Sequence, residues 1–415
     1  MEYTPRLVDP LLERALRVSP AVNVTGPRAC GKTTSALRLA ESSLQLDPAE
    51  PGRLALTALS VYDALRGPEP RLLAEWQLVP GLWDAVRRSV DEERRPGRFL
   101  LSGSAWPADG QTSHSGAGRI IDLPMRPMSL FESGESSGEV SLGALLKGTQ
   151  GEAAGSRVGV TTYADWLVRG GWPGWISASA NDATLLVDGY LERLAEHEFP
   201  LVGGPRRAPQ RFADFIRAYA GLTGHPAPLS TVGKRLKEEG IDVGKDYPGL
   251  FHDFGERMYV IEDQPAWAVA PRSRTRLVSN PKRHLVDPSL AAAALGMSSD
   301  GLLDDWETFG FLFESLVVRD LRVYAQAHGG QVLHYRTSDG SAEIDAIIEF
   351  RDRRWIGIEV KIGLDAALPA ADRLAEIASS MPRHPRALAV VVASPADVVQ
   401  LPSGVWIVPL AALGP

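Results

Sequence analysis

A chain of 415 residues, 44% hydrophobic and 23% charged, carries enough apolar material for two or three separately cored domains. Its net charge of −7 excludes a protein that coats nucleic acid through overall basicity, so any DNA contact must come from a local patch. No run approaches about 18 apolar residues and no basic-then-apolar leader opens the chain, which argues against a membrane partner and a secretory route. The single cysteine, Cys30, cannot close an internal disulfide, and a cytoplasmic location is expected.

Helix 7–17, strand 21–25, helix 32–43, strand 71–74, helix 81–93 and strand 98–102 alternate in the manner of an α/β sheet. The Gly- and Ser-rich stretch 133–159 predicts a loop or poorly ordered insertion. Leu185, Leu186, Tyr190, Leu191 and Leu194 then recur at helical spacing. A Pro/Arg-rich link at 205–209 leads to helices over 211–220 and 229–237 and a small hairpin from 258–261 and 266–269. Gly244, Pro248 and Gly249 disfavour a long helix within 242–254. The densest basic run, Arg272, Arg274, Arg276, Lys282 and Arg283, can either track phosphates or form a solvated loop. The last portion reads as a long amphipathic helix over 305–328, then strand, strand, strand, helix, strand. Three blocks follow from these shifts: 1–205, 206–290 and 291–415.

The first chemistry-bearing motif is Gly26-Pro27-Arg28-Ala29-Cys30-Gly31-Lys32-Thr33, followed by Thr34. It satisfies G-x-x-x-x-G-K-[ST] between an apolar strand and a helix, so backbone N–H groups are expected to cradle a triphosphate. Gly26 and Gly31 allow close backbone approach. Lys32 would reach the β- and γ-phosphates and the Thr33 hydroxyl would ligate Mg²⁺. ATP with Mg²⁺ is the expected ligand.

Further along, Leu72-Leu73-Ala74-Glu75 ends a strand in one acid where hydrolysing P-loop enzymes carry two. Glu75 is the candidate water-activating base, or else a strand-end surface acid; Ala74 holds the place of the expected aspartate. Ser102 or Ser104, after the strand 98–102, is a candidate γ-phosphate sensor or simply part of a strand-to-loop turn. Arg119, beside Gly116 and Gly118, is a candidate arginine finger or sensor, or a solvated arginine. As a finger acting in trans it would require a homo-oligomer.

Near the C-terminus, Glu343 and Asp345 share one face of a strand, and Glu359 and Lys361 share one face of the next. If the two strands are adjacent, Asp345 and Glu359 can bind one hard cation, with Glu314 from the preceding helix as a further acid. Lys361 would then orient a water for attack on phosphate. The competing reading is a solvent-facing strand edge with alternating charges.

These motifs, together with Leu101-Ser102-Gly103-Ser104-Ala105 and Arg126-Pro127-Met128-Ser129-Leu130-Phe131-Glu132, resemble a family of prokaryotic AAA-superfamily P-loop ATPases. Its C-terminal domain, of unknown function, resembles a PD-(D/E)xK restriction-endonuclease core. The likeness runs along nearly the whole chain and is strongest at its two ends. It implies an α/β fold: an N-terminal AAA-type P-loop sheet with a helical lid, a winged-helix-like middle module and a nuclease-like α/β domain. In that family the acid pair reads Asp-Glu, so Ala74 is a departure. The implied function is ATP binding and hydrolysis coupled to a nucleic-acid-associated C-terminal domain, with DNA as a candidate partner. The alternative is a nucleotide-dependent switch or scaffold with little turnover and an inactive nuclease-like domain that binds protein.

Overall fold

The computed structural model describes residues 3–108, 110–112, 114–203, 209–269 and 279–415. Arg272, Arg274 and Arg276 of the basic run therefore lie outside the described residues. The chain gathers into two compact units. One comprises Met1–Pro127, Arg193–Gln210 and Phe251–Val260, and the other Met128–Glu192, Arg211–Leu250 and Ile261–Pro415.

The first unit is built on five parallel strands: β1 (Ala21–Thr25), β2 (Ser42–Gln45), β3 (Arg71–Ala74), β4 (Phe99–Gly103) and β5 (Ile120–Pro124), in the order β2-β3-β4-β1-β5. β1 and β4 are buried along their whole length, in keeping with their near-continuous apolar sequences. Period-two alternation divides the strand residues between two cores. Val22, Val24, Leu72 and Leu100 pack with Leu12 and Leu16 of the helix Asp9–Val18. Ala21, Leu73, Phe99 and Leu101 pack with Leu82, Val86 and Val90 of the helix Gly81–Glu92. The connection leaving β1 runs to β2 on one side, whereas the one leaving β4 runs to β5 on the other. This switch opens a crevice at the carboxyl ends of β1 and β4, where α/β sheets bind ligands. The expected helix 32–43 is only Lys32–Leu37, because residues 42–45 leave it to pair with β3.

The second unit holds a seven-stranded mixed sheet. Its strands are β7 (Ala153–Ser156), β8 (Gly330–Arg336), β9 (Glu343–Phe350), β10 (Trp355–Lys361), β11 (Ala387–Val392), β12 (Ala396–Gln400) and β13 (Val405–Pro409), in the order β7-β12-β13-β11-β10-β9-β8. A separate pair joins β6 (Val140–Ser141) to β14 (Leu413–Gly414). β9 and β10 run antiparallel, with Ile358 opposite Ala346, while β10, β11 and β13 are parallel. The long helix Trp306–Ala327 packs against β8, β9 and β10, and Leu364–Ser379 against β10 and β11. The stretch 133–159 is more than a loop. It supplies β6, the helix Leu142–Lys147 and β7, and β7 extends the sheet by pairing with β12. Its glycines serve the turns between these pieces: Gly155 has φ +71°, and a Cβ there would lie 2.1 Å from the Ala396 carbonyl oxygen.

The middle of the chain departs from expectation in two places. A third helix, Tyr247–Arg257, does form where Pro248 and Gly249 argued against it. Pro248 stands in its first turn, where no N–H is needed. Phe251 and Phe254 are buried against Phe199, which outweighs the poor local propensity. The hairpin does not form. Ile261 bridges to Leu285, Gln264 to Lys282 and Ala266 to His334. Among the described residues no helix is long and apolar enough to cross a membrane.

Candidate functional site

The loop after β1 is shaped by backbone that only small residues tolerate. Gly26 has φ +148°, and a Cβ there would sit 2.0 Å from the Met125 carbonyl oxygen. Ala29 (φ 64°) and Gly31 (φ 103°) are left-handed, and Gly31 caps the helix that begins at Lys32. Pro27 and Cys30 are buried, whereas Arg28 and Ala29 face solvent at the crest, as does Thr34 one residue past the motif. Arg28 pairs with the buried Glu198. The Lys32 ammonium folds back onto the Pro27 carbonyl at 2.7 Å, a neutral partner that an anion can displace. Arg6 braces the loop from beneath: its guanidinium donates 2.8 Å bonds to the carbonyls of Cys30 and Arg126. Nothing in the sequence pattern had marked Arg6.

At the neighbouring strand ends, Ser102 Oγ lies 3.3 Å from Thr33 Oγ1. Glu75 caps β3 in a left-handed conformation (φ 55°) and its N–H donates to the Ser102 carbonyl at 2.8 Å. Its carboxylate accepts from Ser104 Oγ at 3.1 Å and Gln77 Nε2 at 2.7 Å. Lys32, Thr33, Ser102 and Glu75 thus belong to one sheet edge, and Ser104, named as an alternative to Ser102, orients Glu75. Thr33 and Ser102 bring two hydroxyl oxygens to this place. The strand position that would add a carboxylate is Ala74, whose side chain is in the core. Arg119 is elsewhere: it precedes β5 at the amino-terminal edge of the sheet and pairs with Asp91 at 2.9 Å. Within one chain it is not brought to the phosphate loop.

In the second unit the sequence-predicted acids do converge, around a residue the sequence did not single out for this place. Lys282, read as part of a solvated or phosphate-tracking run, is 1% exposed. Its ammonium lies 2.8 Å from Glu314 Oε1, 3.1 Å from Glu343 Oε1 and 3.0 Å from Asp345 Oδ1. Asp345 Oδ2 accepts the Val360 N–H at 3.0 Å. Lys361 pairs with Glu359 at 2.7 Å and stands 3.8 Å from Asp345. These groups line a cleft of about 560 Å³ together with Arg336, Arg373 and His225.

The electrostatics follow from crowding in low dielectric. Burial, then the Asp345 charge, pushes Glu359 up to about 7. Burial pushes Glu314 up to about 8 against the pull of Lys282. Burial opposes the charge on Lys282, but Asp345, Glu314 and Glu343 outweigh it and hold its pKa well above the usual lysine value. Burial likewise opposes the Asp345 charge, and Lys282 and Lys361 outweigh it, so that Asp345 is lowered. Beneath the cluster His284 is wholly buried, with contacts to Ser315 Oγ at 3.1 Å and Gln264 Oε1 at 3.3 Å.

Three family models match successive stretches of the chain. Residues 18–133 match the model of an AAA domain, 160–301 a domain of unknown function (DUF8612) and 309–413 another (DUF4143). Uncharacterised proteins of Mycobacterium tuberculosis and Mycobacterium bovis are each 29% identical over 359 residues, spanning 84% of this chain and 72% of theirs. Among solved structures, a Walker-type ATPase of Pyrococcus abyssi is similar at a TM-score of 0.44 and 14% identity, covering 69% of this chain and 94% of that one. The phosphate loop, the parallel sheet that carries it and the matching domain model together make residues 18–133 an AAA-type P-loop domain.

Proposed function

We propose that the first unit binds ATP with Mg²⁺ at Gly26–Thr33 and hydrolyses it, with Glu75 orienting the attacking water. The observation that carries this reading is the placement of Glu75. Its carboxylate is held by Ser104 and Gln77 at the same sheet edge as Lys32, Thr33 and Ser102. The loop amides and Lys32 would hold the β- and γ-phosphates, Thr33 would contribute one oxygen to Mg²⁺, and Ser102 would stand beside the γ-phosphate. Steady-state phosphate release from the wild type, Lys32→Ala and Glu75→Gln tests it. Turnover in Glu75→Gln equal to the wild type would remove Glu75 from the role. Ala74 favours a second reading, a nucleotide-dependent switch with little turnover, because one carboxylate that helps hold Mg²⁺ is missing. Wild-type phosphate release no faster than that of Lys32→Ala, with nucleotide still bound, selects the switch.

For the second unit we propose a nuclease-like outline in which metal-dependent cleavage is absent. The outline is supported by the antiparallel pairing of β9, which carries Asp345, with β10, which carries the ion pair of Glu359 and Lys361. The acids, however, already face an internal ammonium. Supercoiled DNA incubated with the protein and Mn²⁺ should stay intact. Nicking that disappears in Asp345→Ala would restore the metal-dependent reading.

A further inference from the structure

We infer that the Lys282 ammonium is a resident cation of the second unit, seated where the carboxylates of Glu314, Glu343 and Asp345 would otherwise gather a divalent metal ion. The inference deepens the reading of an inactive nuclease-like outline and rests on it.

Stoichiometry is the first argument. An ammonium group has three N–H donors and no acceptor. Glu314 Oε1 and Asp345 Oδ1 accept two of them at 2.8 and 3.0 Å, and Glu343 Oε1, ion-paired at 3.1 Å, is the third acid in reach of the same ammonium. The acids come from the helix Trp306–Ala327 and from β9, so the convergence is tertiary. Charge is the second argument. Lys282 and Lys361 together bring the two positive charges of a divalent ion to the same group of acids, with Lys361 satisfying Glu359.

The third argument is that Lys282 is locked in. Its backbone exchanges hydrogen bonds with Gln264 in both directions, at 3.0 and 2.9 Å. The Gln264 side chain donates to the carbonyls of Asp345 (2.9 Å) and Leu333 (3.0 Å), fastening the lysine's segment to the strand that carries the acid. On the other side Lys282 bridges to Pro226, and its neighbour Arg283 bonds through its main chain to Gly224 and His225. With 1% of its surface exposed, Lys282 cannot swing out to admit a metal while this strap stays in place. A metal would also need tighter geometry. Mg²⁺ draws its oxygens to about 2.0–2.1 Å and Ca²⁺ to about 2.3–2.6 Å, distances at which the ammonium and the ion exclude each other.

The test uses the full chain without nucleotide and Mn²⁺ as probe, following free Mn²⁺ by electron paramagnetic resonance and unfolding by calorimetry. Wild type and Asp345→Asn should bind Mn²⁺ equally at concentrations up to about 1 mM, a weak-binding threshold. Lys282→Ala should unfold at a temperature lower by on the order of 10 °C, because removal of one partner strands buried charges. Mn²⁺ or Ca²⁺ should restore much of that loss. Lys282→Ala should also bind one additional Mn²⁺, lost again when Asp345→Asn is added. Mn²⁺ binding by the wild type that Asp345→Asn abolishes would overturn the inference, and so would a folded Lys282→Ala that gains no Mn²⁺. If Lys282→Ala does not fold, the wild-type and Asp345→Asn titrations still decide. The readout is metal binding, so a failure of the cleavage reading alone, with DNA nicked but no Asp345-dependent metal, remains distinguishable.

Discussion

Lys32 and Lys282 are withdrawn from solvent to similar degrees, at 5% and 1% exposure, yet their ammonium groups meet opposite surroundings. Lys32 donates to a neutral main-chain carbonyl within the phosphate-loop motif. Lys282 donates to Glu314 and Asp345 and is ion-paired with Glu343 as well. The same side chain therefore keeps a neutral, exchangeable partner in one unit and charged, buried partners in the other. A carbonyl partner is exchanged for a phosphate at small cost, whereas separating an ammonium from buried carboxylates costs the full penalty of bare charge. A lysine's burial says little about its use until its partners are known.

The largest effect should come from exchanging the two lysines' fates. Lys32→Ala should weaken ATP binding a hundredfold or more, since a charge pair at about 4 Å contributes several kcal/mol at intermediate dielectric. Lys282→Ala should leave nucleotide affinity unchanged. Titration of both variants with a fluorescent ATP analogue checks this, and a comparable loss in both would dissolve the contrast.

Next, Glu75→Gln should lower phosphate release about a hundredfold while ATP still binds, the scale of removing a base or water-orienting group. A loss of binding equal to the loss of rate would mean that Glu75 shapes the site and does not act on water.

Acid should then separate the units. Burial first, and the Lys282 charge second, push His334 down to about 4 from an ordinary 6.5. The unfolded chain takes up that proton more readily than the folded one. The stability contributed by neutral His334 is thus fully present above about pH 6.5 and is lost as pH falls towards 4, by roughly 3 kcal/mol in all. His284, wholly buried and also lowered, acts in the same direction. Calorimetry at pH 7 and pH 5 should show the second unit losing stability, and His334→Gln should reduce the loss. An unchanged pH response in that variant assigns the sensitivity to other groups.

The smallest effect tests the brace. Arg6→Ala strands the Cys30 and Arg126 carbonyls and should weaken ATP about tenfold, the cost of one or two unpaired polar groups. Unchanged affinity would show that the loop keeps its shape without Arg6.

Much of the first unit was legible because its signals are local. Strands 21–25 and 71–74 appear with those bounds, and Gly26 and Gly31 adopt the positive φ that their place in the motif required. Residues 42–45 were not legible: Ser42-Ser43-Leu44-Gln45 has no strong strand character and becomes β2 only through pairing with β3. In the second unit, period-two alternation put Asp345 and Glu359 on strands, and their adjacency, which the sequence left open, is decided by the pairing of Ile358 with Ala346. The tertiary folding of 133–159 and the helix Tyr247–Arg257 escaped, since β7 depends on a partner strand more than 200 residues away and the helix depends on Phe199.

By itself the sequence determined that a phosphate loop joins a buried strand to a helix, and that acids and a lysine alternate on two C-terminal strands. Both are properties of spacing within a few residues, where backbone geometry leaves little choice. Only the tertiary structure decided what each charged group faces. It set Arg119 at the far edge of its sheet from the loop, brought Arg6 beneath Cys30, and carried Lys282 from an apparently basic run into a nest of carboxylates. Partners so distant in the chain are chosen by packing and by the need to neutralise buried charge, and neither leaves a local pattern to read.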